Sequence, residues 1–217
     1  MSPIHVYVFL QASYLFLLLK MKRNKKEKMH PINSIKNQKN SLRLILKDRL
    51  SQMTDDQKRS EDLIINKILQ RKFNKKISIL CYYPLVSEPD ITPSIKYWLN
   101  NDFIVSLPCI ISGEFYCQRI CDLSKKSFIK SNLGVLEPSP NSRSTIAANN
   151  LDVIIVPGLG FTTCGSRLGR GGGIYDRFLS KLDKQRSNSI GICYKNQIVD
   201  SIPIEKHDYP VDLVVSQ

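Results

Sequence analysis

The sequence predicts a three-layer α/β/α fold with a mainly parallel sheet, and three observations carry that expectation. Short β-branched and aromatic runs alternate with stretches of helical period. LDVIIVPG (Leu151 to Gly158) is an unbroken apolar run, as a strand buried on both faces requires. A glycine-punctuated loop and a further helical pattern follow it, the order in which α/β proteins place ligands at the carboxyl ends of their strands.

The elements follow in order. From Ser34 to Leu50 apolar residues recur as Ile35, Leu42, Ile45, Leu46 and Leu50, with Lys39, Arg43, Lys47 and Arg49 between them, which predicts a basic amphipathic helix. Thr54 and Gln57 form a capping-box start with Asp55 and Asp56 at the positive end of the dipole, and Ile64, Ile65, Ile68 and Leu69 carry that helix to Lys72. Ile77 to Tyr83 reads as a strand, Ile91 to Asn100 as a helix, and Phe103 to Pro108 as a strand closed by its proline, together a βαβ unit. Glu114 to Cys121 is a further strand. Glu137 to Asn150, rich in Pro, Ser and Asn, is a loop. After Leu151 to Gly158, a helix carries Tyr175, Phe178, Leu179 and Leu182 on its apolar face, and NSIGICY and VDLVVS add two strands. The arrangement is Rossmann-like.

The chain has 217 residues, enough for one substantial core. Its net charge of +13 is concentrated: residues 1 to 49 hold eleven Lys and Arg against Glu27 and Asp48, and the remainder carries only +4. A folded nucleic-acid-binding face is therefore not needed to explain the basicity. Six cysteines are scattered at spacings that fit neither a disulfide framework nor a zinc site, so buried, reduced thiols are expected.

The apolar run Ile4 to Leu19 falls just short of the roughly 17 to 25 residues of a spanning helix, and His5, Gln11 and Ser13 weaken it. Its lysines follow it instead of preceding it, unlike a secretory signal. We expect translation to begin at Met21 or Met29, residues 1–33 to be an extension, residues 34–217 to form one catalytic domain, and the protein to be a cytoplasmic monomer without a membrane or nucleic-acid partner.

The segment that carries chemistry is GLGFTTCGSRLGRGGG, Gly158 to Gly173. Its glycines let backbone amides face a ligand without Cβ obstruction, and Arg167 and Arg170 add charge-assisted donors for phosphate oxygens. With the helix start behind it, a nucleoside triphosphate is well matched. The lysine of a Walker loop is missing from the nearest frame, Gly160 to Ser166. Chemistry alone leaves Asp176 open between a metal ligand and a residue that complements the helix dipole. A basic RNA- or lipid-binding module, drawing on Lys20 to Lys28, would leave the loop unexplained.

At these residues the sequence resembles the 5-formyltetrahydrofolate cyclo-ligases, or methenyltetrahydrofolate synthetases. VPGLGF (Val156 to Phe161) running into RLGRGGGIYDRFL (Arg167 to Leu179) is similar to that family's PGLxF and RLGxGxGYYDRFL. KNSLR (Lys39 to Arg43), YYPLVSEPD (Tyr82 to Asp90) and IPIEKHDYPVDLVVS resemble three further family motifs, in the same order, so that the resemblance spans about residues 36 to 217. Ile174 replaces a usual tyrosine, and Ile91 a usual threonine.

The resemblance implies conversion of 5-formyltetrahydrofolate to 5,10-methenyltetrahydrofolate with ATP and Mg2+. It assigns Lys39, Arg43, Arg167, Gly169, Arg170, Gly171, Gly172, Gly173 and Tyr175 to ATP, with Arg43 and Arg170 catalytic at the transferred group. It assigns Asp176 and Asp208 to the metal. Tyr83, Glu88 and Ile174 would meet the folate, together with Arg170 and Gly171 to Gly173. His207 is read as structural.

Overall fold

The computed structural model describes residues 34–73, 75–130, 136–139, 145–183 and 185–217. The expectations for Ile4 to Leu19, Lys20 to Lys28, Met21 and Met29 lie outside them. The chain divides into two units, 1–38 and 39–217; of the first, only residues 34–38 are described, and the account below concerns the second.

Helix α1 spans Ile35–Ser51 and buries Lys39, Leu46 and Leu50. Helix α2, Asp55–Lys72, begins at the capping box read from the sequence: the Thr54 hydroxyl accepts from the Gln57 amide at 3.2 Å and the Gln57 side chain accepts from the Thr54 amide at 2.9 Å. The strands and helices that follow are β1 (Ser78–Leu80), α3 (Thr92–Asn100), β2 (Ile104–Ile111), β3 (Glu114–Arg119), β4 (Phe128–Lys130), β5 (Leu136–Pro138), β6 (Thr145–Ile146), β7 (Val153–Pro157), β8 (Gly160–Phe161), β9 (Arg167–Leu168), α4 (Ile174–Leu179), β10 (Asn188–Ile192) and β11 (Leu213–Val215).

The main sheet runs β11-β10-β7-β1-β2-β3-β6. Its first five strands are parallel, and β3 and β6 add an antiparallel edge. Alternation along the strands splits the core between two faces. Ile79, Val153, Ile155, Ile190 and Ile192 pack on one side with Ile65 and Leu69 of α2 and Ile95 and Trp98 of α3. Leu80, Ile154 and Val156 pack on the other with Phe178 and Leu179 of α4. Each such buried side chain contributes roughly 1.5–3 kcal/mol. The expected mainly parallel α/β fold is the observed one.

Several local expectations are corrected. The strand expected to end at Pro108 continues to Ile111 and forms a hairpin with β3. Pro108 is tolerated there because it lies on the same edge of the strand as the Ile110 amide, which bonds the Glu137 side chain instead of β3, so no ladder bond is lost. Glu137 to Asn150, read as loop, contains part of β5, β6 and a short 3-10 turn at Ala148–Asn150. The strand expected at Ile77 to Tyr83 covers only Ser78–Leu80, and the helix expected to reach Leu182 stops at Leu179. Cys81, Cys109, Cys117 and Cys193 are buried free thiols as expected, and burial pushes Cys117 and Cys193 up to about 12. Cys121 and Cys164 are instead exposed. Among the described residues no helix is long and apolar enough to cross a membrane.

Candidate active site

The direction of chain progression reverses at β1: α3 and β2 follow on one side, whereas β7, β10 and β11 lie on the other. In a parallel sheet the loops leaving the carboxyl ends of two such strands diverge and open a crevice. Here those loops are Cys81 to Asp90 after β1 and Gly158 to Gly173 after β7. Between them lies a cavity of about 510 Å³.

Glycine geometry shapes the second loop. Gly160–Phe161 and Arg167–Leu168 pair as a small antiparallel hairpin. At its turn Gly165 has φ +93°, and a Cβ there would stand 2.1 Å from the Val211 carbonyl oxygen. Gly173, at φ +62°, reverses the chain into α4. Because α4 has six residues, its dipole is small, and the loop amides and arginines are the main positive features.

The cavity gathers most of the residues singled out from the sequence. Tyr83 and Glu88 come from the loop after β1; Arg167, Gly169, Arg170, Gly172 and Gly173 from the glycine loop; Ile174, Tyr175 and Asp176 from the first turn of α4. Leu107, Pro108, Ile110 and Phe115 complete an apolar wall. Glu88 is buried, and its Oε1 accepts from Arg170 Nε and Nη2 at 3.1 and 2.9 Å, while its Oε2 accepts from the Leu85 amide at 3.1 Å. Arg167 donates through Nη2 to Asp176 Oδ1 at 2.6 Å, a pair with side chains only 3% and 13% exposed. Asp176 Oδ1 also accepts from the Tyr209 amide at 3.2 Å.

Two polar atoms of the lining have unspent capacity. Arg167 Nε and the Tyr175 hydroxyl are buried without a hydrogen-bond partner among the described residues. The Tyr175 ring packs edge-on to Phe115 and lies 5.8 Å from the Arg167 guanidinium carbon. Burial, and then the charge of Glu88, pushes its phenol well above the usual tyrosine value, so it stands as a neutral donor.

Lys39, Arg43, Gly171 and Asp208 are not among the lining residues. Arg43 holds the outer side of the glycine loop, donating from Nε to the Gly169 carbonyl at 2.9 Å. Lys39 is buried between Glu205 Oε2 at 2.7 Å and Asp208 Oδ2 at 2.5 Å. Burial works against both charges of the Lys39–Asp208 pair. Their hydrogen bonds and mutual attraction prevail, holding Lys39 above and Asp208 below its ordinary value. His207, read as structural, has an exposed side chain, 71% accessible, beside Glu205 and Asp208.

The 5-formyltetrahydrofolate cyclo-ligase family model matches residues 35–217, a span that includes both cavity-forming loops. The chain belongs to that family. A 5-formyltetrahydrofolate cyclo-ligase of Escherichia coli K12 is 33% identical over 92 residues, 42% of this chain and 50% of that one, so the alignment spans half the length of the relative. The Mus musculus cyclo-ligase is 26% identical over 84% of this chain and 95% of its own. The solved 5,10-methenyltetrahydrofolate synthetase of Aquifex aeolicus superposes with a TM-score of 0.70 at 27% identity, covering 82% of this chain and 89% of that one.

Three residues at or beside the site escaped the sequence reading. Glu205 is the second carboxylate on Lys39. Phe115 stacks on Phe178 with centroids 4.3 Å apart and forms cavity wall. Glu137 is a buried acid in the same wall. A family motif that places a glutamate three residues before the aspartate points to Glu205, whereas nothing local distinguishes Glu137 within its polar surroundings.

Proposed function

We propose that this member of the family converts 5-formyltetrahydrofolate to 5,10-methenyltetrahydrofolate, with ATP hydrolysed to ADP and phosphate in the presence of magnesium. The observation that carries the reading is the cavity at the strand-order reversal, which has an apolar wall for a flat ring on one side and a glycine loop with Arg167 and Arg170 on the other.

A formamide oxygen is a poor leaving group. Transfer of the γ-phosphoryl group to it expels ADP and gives an iminium phosphate; N10 of the same folate then attacks the iminium carbon, closing the five-membered ring and releasing the N10 proton to solvent, and the C–O bond breaks to expel phosphate and leave the methenyl cation. Such chemistry requires alignment and neutralisation of charge more than covalent assistance. Arg170 supplies donors where the two loops meet, and Glu88 fixes its guanidinium while facing the folate side with Tyr83 and Ile174. Arg167, Tyr175 and the amides of Gly169 to Gly173 serve the nucleotide, and Arg43 and Lys39 approach it from α1. Exclusion of water by Leu107, Ile110 and Phe115 strengthens each of these contacts.

Asp176 and Asp208 would hold magnesium. Both present hard carboxylate oxygens, and Asp208 already carries a cation in the Lys39 ammonium. The ion would neutralise phosphate charge. The test is formation of methenyltetrahydrofolate from 5-formyltetrahydrofolate, followed by absorbance with and without ATP and magnesium. ATP-dependent product is expected; none from folded protein would overturn the reading.

A further inference from the structure

The segment after β10 bonds to both cavity-forming loops, yet none of its residues lines the cavity. It contains Tyr194 and a 3-10 turn at Lys195–Gln197. Gln197 is wholly buried, and its amide is spent on backbone: Oε1 accepts from the Tyr194 amide at 2.8 Å, while Nε2 donates to the Gly158 and Leu159 carbonyls at 2.8 and 3.2 Å. Those carbonyls accept and cannot donate, which fixes the orientation of the side-chain amide. The Leu159 amide in turn donates to the Leu168 carbonyl at 2.8 Å, so Gln197 grips the base of the hairpin that carries Arg167 and leads to Arg170. The Val199 amide adds a bond to the Phe161 carbonyl at 2.9 Å.

Tyr194, only 1% exposed, reaches the opposite loop. Its hydroxyl lies 3.2 Å from the Glu88 carbonyl oxygen and also bonds Asp62, whose Oδ1 accepts from the Asp90 amide at 2.9 Å. The phenol has one proton to share between two acceptors, but both routes end on residues 88 to 90 of the loop after β1. Helix α2 holds the turn from a third side, Glu61 Oε2 accepting from the Lys195 amide at 2.7 Å. One buried turn therefore fixes two loops that leave different strands. Such backing matters when two bound ligands must react with each other, because a misplacement of about 1 Å originating far from the chemistry can cost about 100-fold in rate.

We propose that Tyr194 and Gln197 are positioning residues that clamp the two cavity loops in mutual register, Tyr194 through the Glu88 carbonyl and Gln197 through the Gly158 and Leu159 carbonyls. The proposal rests on the reading above that ATP and the folate meet between these loops. Each loop holds its own ligand, and the clamp sets how the two ligands meet.

The experiment uses the full-length protein, its Tyr194→Phe and Gln197→Met variants and the double variant. Phenylalanine keeps the buried ring and removes only the hydroxyl; methionine keeps an unbranched chain and removes the hydrogen bonds. Rates of methenyltetrahydrofolate formation are measured well below each Tm and normalised to the folded fraction by circular dichroism. In each single variant kcat should fall about tenfold while the KM values for ATP and 5-formyltetrahydrofolate stay within about threefold, since only the alignment of the ligands is lost. Release of either hand frees the register, so the double variant should lose little more than the worse single one instead of the product of the two. A merely structural role would lower Tm and leave kcat per folded molecule at the parent value. Gln197→Met leaves the Gly158 and Leu159 carbonyls and the Tyr194 amide without this partner; if it fails to fold, Tyr194→Phe alone decides. An unchanged kcat in folded Tyr194→Phe, or a loss confined to one KM, overturns the clamp and leaves the activity standing. Failure of the wild-type protein to turn over 5-formyltetrahydrofolate overturns the activity and the clamp with it.

Discussion

Arg170 and Glu88, 82 residues apart in sequence, share two hydrogen bonds to one carboxylate oxygen and so tie the loop after β1 to the glycine loop after β7. The arginine is 39% exposed and the glutamate 6%, so the pair extends from the buried wall to the cavity mouth. Replacing Arg170 by alanine removes a donor from the phosphoryl-transfer site without disturbing the core. We expect kcat to fall by about two orders of magnitude or more, with Tm lowered by several degrees because Glu88 is left buried without its cation. Arg170→Lys should recover only part of the loss, because an ammonium cannot reproduce the planar fork. Steady-state rates of methenyltetrahydrofolate formation alongside calorimetric melting check this, and an unchanged kcat in Arg170→Ala would remove the residue from the mechanism.

Asp176→Asn probes the other pair. The asparagine carbonyl can still accept from Arg167 and from the Tyr209 amide, so the local geometry survives while the charge opposite a buried guanidinium is lost. A loss of about 1–3 kcal/mol in denaturant unfolding is expected, together with a higher magnesium concentration for half-maximal activity. A magnesium titration superimposable on that of the parent protein would show that the carboxylate serves Arg167 only.

Asp62 on α2 provides a pH signature away from the cavity. Its Oδ1 accepts from the Asp90 amide at 2.9 Å. Burial is the chief cause of a carboxyl held above its ordinary value of 3.8; hydrogen bonds from Asp90 and Tyr194 offset this in part, and the charges of Asp90 and Glu61 add to it. The folded state therefore binds this proton more tightly than the unfolded chain. Its ionisation lowers stability as pH rises from 3.8 through the folded value, and the penalty is constant above that. Asp62→Asn keeps the acceptor and removes the penalty, so it should raise Tm near neutral pH. The difference should vanish below pH 3.8, as thermal melts across the acid range will show.

What the sequence disclosed was largely local. The capping box of Thr54 and Gln57, the apolar run of β7 and the glycine and arginine alternation are each contained within a few residues, and each was found where expected. What it withheld depended on distant partners. β5 and β6 are only three and two residues long within a Pro-, Ser- and Asn-rich stretch, and they are strands because β4 and β3 offer them backbone groups. Nothing in the basic helix itself distinguished Lys39 from its exposed neighbours, because Glu205 and Asp208 close over it from 166 and 169 residues away. Glu137 had the same fault as a signal: an acid in a polar stretch reveals nothing until the fold buries it.

Ile174 is the one position of the glycine loop motif where this chain departs from its family's usual tyrosine, and the structure places it in the cavity lining at the start of α4. The position is half-buried, and the Ile174 side chain approaches within 3.6 Å of where a Cβ on Gly172 would stand, so the side chain folds back over the loop. Isoleucine offers an apolar surface but neither an aromatic face for the pterin nor a hydroxyl. Ile174→Tyr should therefore stack on the bound folate and lower its KM by roughly twofold to tenfold, the equivalent of about 0.5–1.5 kcal/mol of aromatic contact. The ATP KM should change far less, since the side chain at 174 is assigned to the folate and the nucleotide contacts to other residues. A folate KM that is unchanged or raised in Ile174→Tyr would mean that the cavity of this chain has been remodelled around isoleucine and that the pterin does not stack there.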